Sequence, residues 1–301
     1  MQTVLRGQQY SEYTMRRTFV ESVLERVQAL PGVEGAGFAS DLPFTSQGNT
    51  YRFRVEGRPE PPNAVALDTL YREVTNDYLQ TIGARLKEGR FFRREDRTGS
   101  LPVVIINDTF AKTFWPNESA VGKRIQVGNI GLNVPWLSIV GVVDDVHERG
   151  LLLPMKPGTY LPISQVSRPD PWYLSIRTAR DPLSSVTAVR RAIWSVDCAQ
   201  PISEIKTMRE LMDQETANRR EVMTLLDAFA GLALLLAALG IYGVLSYAVA
   251  QRTQEIGIRM AMGAERGDVL RMVMTQGLGV ALIGIVVGLT AALALARLMT
   301  G

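Results

Sequence analysis

The runs AFAGLALLLAALGIYGVLSYAVA, Ala228 to Ala250, and MVMTQGLGVALIGIVVGLTAALALA, Met272 to Ala296, contain no Asp, Glu, Lys, Arg or His. Each exceeds the roughly 20 residues that an α-helix, rising about 1.5 Å per residue, needs to cross a hydrocarbon layer about 30 Å thick. Charged residues stand just outside them: Asp227 and Arg252, then Arg271 and Arg297. The core helix of a soluble protein can be this apolar. Two such runs in succession with charged stops instead predict a two-helix transmembrane hairpin, with spans at about 228–250 and 272–296. Between them, residues 251–271 carry Arg252, Arg259, Arg266 and Arg271, against Arg297 alone beyond the second run. By the positive-inside rule this connection is cytoplasmic, although Arg219 and Arg220 before the first run reduce the contrast. Residues 1–226 are then extracytoplasmic.

Within the connection, Glu255 and Arg259 form an i, i+4 pair in the favourable order. Ile256 with Met260, and Ile258 with Met262, give apolar pairs at the same spacing. Gly263 can end a helix and Asp268 can start the next. Such a segment could dock on a partner or simply turn the chain between two spans. In the spans, Gly240 with Gly243, and Gly284 with Gly288 in a GxxxG, permit close helix packing.

Upstream the texture is polar. The whole chain is 46% hydrophobic with a mean hydropathy of +0.04, an average over a polar part and an apolar tail. A formal net charge of +3, with acids and bases interleaved through residues 1–227, predicts a solvated surface and no nucleic-acid groove. The N-terminal MQTVLRGQQYSEYTMRR lacks the apolar core of a signal peptide, so export implies sequence upstream of this chain.

Phe19, Val23, Val27 and Leu30 recur at three- and four-residue spacing and predict a helix over Ser11–Leu30, stopped by Pro31-Gly32. Val33–Ser40 and Tyr51–Gly57 alternate as strands, the second strictly, with a proline-rich loop at Pro59–Pro62. Leu67–Val74 follows as a strand and Asn76–Ile82 as a short helix. Val103–Ile106 is a buried strand, and Asn107-Asp108 caps a helix over Thr109–Trp115. Ile125–Val127 and Leu137–Val143 are strands, and Tyr160–Ile163 is a short edge strand because of its proline. Trp172–Thr178 is a strand and Pro182–Val196 a helix. A short strand lies around Ile202 and Ile205, and a last helix runs from Met208 to about Asn218. The pattern predicts an α+β domain in which an α/β part, about 1–46 and 171–226, is interrupted by a β-rich insertion, about 47–170.

Catalytic and cofactor motifs are missing. Ala120-Val121-Gly122-Lys123-Arg124 ends like a phosphate loop, but Asn117 stands where the first glycine belongs and Arg124 where Ser or Thr belongs. A lysine-bearing turn fits better. Gly35-Ala36-Gly37 lacks the third glycine of a dinucleotide fingerprint and reads as packing. Asp144-Asp145 with His147 and Glu148 reads as the polar loop after a strand, since one histidine beside adjacent acids lacks metal-ligand geometry. One cysteine, Cys198, excludes an internal disulfide. No nucleophile with its base is visible, and no metal or cofactor is expected.

The stretch Leu239-Gly240-Ile241-Tyr242-Gly243-Val244-Leu245-Ser246-Tyr247, continued by Gln251-Arg252-Thr253-Gln254-Glu255-Ile256-Gly257-Ile258-Arg259 and Met260-Ala261-Met262-Gly263-Ala264, resembles FtsX-like permeases of the MacB-type ABC transporter family. Asn76–Gly83, Gly89–Phe92, Val104–Asn107, Phe114–Pro116, Val121–Arg124 and Ile139–Val146 resemble that family's periplasmic core domain. The resemblance covers nearly the whole chain in order, and EIGIRMAMGA is its most specific part. It implies a Porter-like α/β subdomain with an inserted Sabre-like β-rich one. It also implies four membrane helices, of which the first would precede Met1 and the fourth follow Gly301. The domains are then 1–226, periplasmic, and 227–301, part of a multi-pass unit in the bacterial inner membrane. Its implied partners are a cytoplasmic ABC ATPase, as a separate subunit or as a domain outside the given sequence, membrane lipid, a second permease half in a homodimer or pseudo-dimer, and a periplasmic protein. Coupling to the ATPase would fall on Glu255, Ile256, Gly257, Ile258, Arg259 and Gly263. The activity implied is non-catalytic mechanotransmission in export; the alternative is an FtsX-like scaffold that activates a cell-wall hydrolase.

Overall fold

The computed structural model describes residues 1–3, 10, 12–45, 49–58, 67–128, 134–151, 153–166 and 172–262, and beyond these 267, 271, 275, 284–286, 288–290, 292–294 and 297. The chain divides into two compact units, Met1–Ala217 and Asn218–Gly301. The first unit comprises β1 (Gln2–Thr3), α1 (Tyr13–Gln28), β2 (Val33–Ala39), β3 (Thr50–Val55), β4 (Asp68–Val74), α2 (Tyr78–Ile82), β5 (Leu86–Gly89), β6 (Val103–Asn107) and α3 (Asp108–Phe114). It continues through β7 (Arg124–Val127), β8 (Leu137–Val143), β9 (Gly158–Pro162), β10 (Trp172–Thr178), α4 (Val186–Trp194) and β11 (Ile202–Ser203) into the start of α5 (Met208–Gln251). The fold of this unit is mixed α and β.

The terminal segments of the first unit make a layered patch. β2 pairs antiparallel with β10, and β1 lies between β10 and β11. The apolar stripe of α1 (Phe19, Val20, Val23, Val27) is buried with Ala36 and Phe38 of β2, Leu174 of β10, and Val189 and Ile193 of α4. Both helices bury one side only, as their 3.6-residue periodicity requires.

Six strands close on themselves. β3 is antiparallel to β4 and β7, β7 to β8, and β6 to β9, while β8 is parallel to β6 and β9 to β4. The cluster of Phe53, Val55, Tyr71, Val104, Ile106, Ile125, Val127, Leu137, Ile139 and Leu161 takes side chains from every strand of this ring and fills it. The opposite faces of β6 and β9, with Val103, Ile105 and Tyr160, pack in another cluster against Tyr78 and Leu79 of α2 and Phe92. The strict alternation of β6 thus serves two cores.

Asn107 ends β6 and starts α3. Its buried Oδ1 accepts the Phe110 N–H at 3.0 Å and the Gly158 N–H at 2.8 Å, while Nδ2 donates to the Lys156 carbonyl at 3.0 Å. One side chain therefore caps a helix and pins β9. The helix it starts sets Phe110 against Phe53 (4.8 Å between centroids), Phe114 (5.1 Å) and Trp115 (6.1 Å).

Gly35-Ala36-Gly37 is packing. A Cβ on Gly37 would lie 2.5 Å from the Tyr78 Cα, so α2 rests directly on the backbone of β2. Gly37→Ala is expected to cost about 1–3 kcal/mol by overpacking, read as a lower urea midpoint at unchanged slope. Ala120–Lys123 is a turn that leads into β7 at Arg124, with the Lys123 N–H donating to the Ala120 carbonyl at 3.2 Å.

Two expectations need correction. The strand at Tyr160–Ile163 is not an edge: β9 is entirely buried between β4 and β6, and Ile163 falls outside it. Its Pro162 ends the strand beyond the last residue paired with β6, where no donor is required. The helix from Met208 does not stop near Asn218 but runs to Gln251, because no proline or glycine interrupts residues 208–230. β5 was not anticipated; all four of its residues are exposed, and it is held by pairing with β8. The loop at Pro59–Pro62 lies outside the described residues.

Candidate coupling and helix-packing sites

In the second unit, α5 carries an apolar stretch, Val222–Gln251, whose most apolar 18-residue window is entirely unburied within the chain. Leu234 and Tyr242 are each 71% exposed. Water does not tolerate thirty residues of this kind; hydrocarbon or partner helices must cover them. Among the described residues this is the one helix long and apolar enough to span. Of the second expected span, 272–296, most lies outside the described residues, and those described from 284 to 294 fall within an apolar helix, Gly284–Ala294.

A Cβ at Gly240, Gly243, Gly284 or Gly288 would meet nothing within 4 Å. Each glycine leaves a flat, open place on its helix where a neighbouring backbone can approach.

The α-helical run breaks at Arg252. There the Arg252 N–H donates to the Val249 carbonyl at 3.1 Å, and the Thr253 hydroxyl donates to the Ala250 carbonyl at 2.8 Å. α6 (Thr253–Ala261) then begins, with the Ile256 N–H donating to the Arg252 carbonyl at 2.9 Å. Ile256 is half-buried and Gly257 exposed. Ile258 is 57% exposed and Met262 83% exposed, so this i, i+4 pair forms a bare apolar ridge. Glu255 and Arg259 also fall four apart on α6, and their side chains lie outside the described residues, as does all of Gly263. Among the described residues the arrangement offers apolar contact area.

A second polar constellation, in the first unit, has no local signature in the sequence. Arg72 of β4 is 1% exposed and Glu148, beyond β8, is 3% exposed. Arg72 Nε donates to Glu148 Oε2 at 3.0 Å, and Nη1 donates to the carbonyls of Tyr71 (2.9 Å) and Asn49 (3.3 Å). Asp41 Oδ2 stands 3.7 Å from Nη1, and the Tyr160 hydroxyl donates to Glu148 Oε1 at 3.2 Å. Burial raises the Glu148 carboxyl above its ordinary range, against the downward pull of Arg72. Arg72 and Glu148 are both enclosed, while the Asp41 side chain is 18% exposed. The neighbouring acids are also engaged: Asp144 accepts from Arg85, and Asp145 accepts from the N–H and hydroxyl of Thr109. No group of three potential metal ligands occurs among the described residues.

A family model of the MacB-like periplasmic core domain matches residues 2–196, and one of the FtsX-like permease C-terminal region matches residues 228–301. The macrolide export ATP-binding/permease protein MacB of Bartonella quintana is 26% identical over 298 residues, which is 95% of this chain and 42% of the relative. The pyoverdine export ATP-binding/permease protein PvdT of Pseudomonas syringae pv. tomato is 26% identical over 216 residues, 69% of this chain and 32% of the relative. The chain thus spans about two fifths or less of these relatives' length. The crystal structure of the periplasmic region of MacB from Actinobacillus actinomycetemcomitans aligns with a TM-score of 0.41 at 16% identity, covering 65% of this chain and 83% of that one.

Proposed function

The chain belongs to the family that joins a MacB-like periplasmic core domain to an FtsX-like permease region, and on that premise we propose that it is a non-catalytic permease component of an ABC exporter. It sits in the bacterial inner membrane as a multi-pass protein with residues 1–226 in the periplasm. ATP hydrolysis belongs to a cytoplasmic ATPase outside this chain, in keeping with the ATP-binding/permease names of its longer relatives. The ATPase pushes on residues 251–271, the paired helices carry the displacement across the bilayer, and the periplasmic domain changes shape to extrude a substrate. Within that domain, a Porter-like part (1–46 and 171–226) carries a Sabre-like insertion (47–170). This division is supported by separate apolar clusters for the ring and for α1 with α4. Gly240, Gly243, Gly284 and Gly288 pack helices against one another or against a second permease half.

The observation that carries the coupling reading is the bare Ile258–Met262 ridge on a short helix directly after a long apolar one. Membranes carrying the full protein should retain a bound ATPase in a pull-down with and without ATP. Ile258→Glu, or charge reversal at Glu255 and Arg259, is expected to reduce the recovered ATPase roughly tenfold or more, equivalent to about 1.4 kcal/mol. Undiminished recovery would remove residues 255–259 from the interface. Absence of ATPase under every nucleotide condition would favour the hydrolase-activating scaffold.

A further inference from the structure

The start of α5, itself part of the first unit, touches the rest of that unit at two points one helical turn apart. Leu211 packs against the apolar cluster that includes Tyr78 and Tyr160. Glu215, four residues on, accepts the Leu151 N–H with both carboxylate oxygens, at 3.1 and 3.2 Å. Gly150 makes room for this. Its φ is +117, and a Cβ there would stand 2.1 Å from Glu215 Oε1 and 2.9 Å from its Cδ. Only glycine satisfies both the conformation and the approach.

Two residues before Gly150 stands Glu148, whose carboxylate holds the buried Arg72 and whose carbonyl accepts the Phe44 N–H at 3.2 Å. Residues 148–151 are thus fastened at one end to the interior of the domain and at the other to α5. A charge-assisted bond to a single amide is strong enough to define a state, yet weak enough to open.

We propose that Glu215 is a positioning residue: a latch that ties the start of α5 to residues 148–151 and through Glu148 to Arg72. It has two states, engaged on the Leu151 amide and released. This inference rests on the reading that ATPase action displaces α5.

Hydrogen exchange at the Leu151 amide, in the full-length protein assembled with its ATPase, tests it. ATP is expected to speed exchange there about tenfold or more. In Glu215→Ala exchange is already fast without ATP and no longer responds. Glu215→Gln, whose carbonyl still accepts, restores protection and response. If ATPase remains bound while Leu151 exchange ignores ATP, or if Glu215→Ala exchanges as wild type does, the latch is wrong and the coupling reading stands. If no ATPase binds, the coupling reading falls, and the latch with it.

Discussion

Arg72→Met is expected to destabilise the chain by about 3–5 kcal/mol, because it leaves the Glu148 carboxylate buried without its counter-charge. Methionine fills most of the volume, so the deficit comes from the uncompensated charge and not from a cavity. Its pH dependence identifies the cause. The Glu148 pKa lies above its ordinary value of 4.5 in the folded chain, and loss of Arg72 removes a group that pulls it down. A carboxyl with a raised folded pKa favours folding below its unfolded pKa, and that contribution vanishes as pH rises through the folded value. The deficit of Arg72→Met should therefore be smallest in acid, near or below about pH 4.5, and widen towards neutral pH. Urea unfolding of wild type and variant across that range measures it. A deficit independent of pH would mean that another group neutralises Glu148. Glu148→Gln in the Arg72→Met background should recover part of the loss at neutral pH, since an amide carries no charge.

Phe110→Ala should cost about 3–5 kcal/mol as well, by a different route. Phe110 is fully buried, lies in the ring's filling cluster, and faces Phe53, Phe114 and Trp115. Its loss opens a cavity among aromatic rings that cannot close over it, because Asn107 fixes the start of α3 from both the helix and β9. Thermal or urea unfolding would show the loss, and Phe110→Leu should recover most of it. A deficit below about 1 kcal/mol would mean that α3 shifts inward to fill the space.

What the sequence disclosed was local. The period of α1 and the alternation of Tyr51–Val55 and Val103–Ile106 stand in the residues themselves, as does the Asn107 cap, and all reappear in the structure. Ring closure was not legible, because pairing β4 with β9 joins residues about ninety apart and leaves no periodic mark on either. β5 escaped notice because LKEG has no buried face and is held by backbone pairing alone. Pro162 misled because proline normally marks an edge, and here it marks an end. The polar run Asn218-Arg219-Arg220-Glu221 hid the continuity of α5, because it interrupts the apolar pattern from which a helix is read. At the candidate coupling segment, the i, i+4 spacing of Ile258 and Met262 could be read directly, and the structure finds that pair exposed. The Arg72–Glu148 pair could not be read: 76 positions separate its members, and Glu148 sits in what looks like an ordinary polar loop.

The two-sided strand β6 has a consequence for how the domain comes apart. Val104 and Ile106 belong to the interior of the ring, while Val103 and Ile105 belong to the layer outside it. Neither core can dissolve while this strand stays in place, and the strand cannot leave without emptying both. Two cores that share a wall are expected to melt as one cooperative unit, so calorimetry should find a single unfolding transition for the six-stranded ring and the layer over it. A slip of β6 by one residue would turn each core's side chains into the other. The domain is thereby protected from partial opening at the place where its two halves meet.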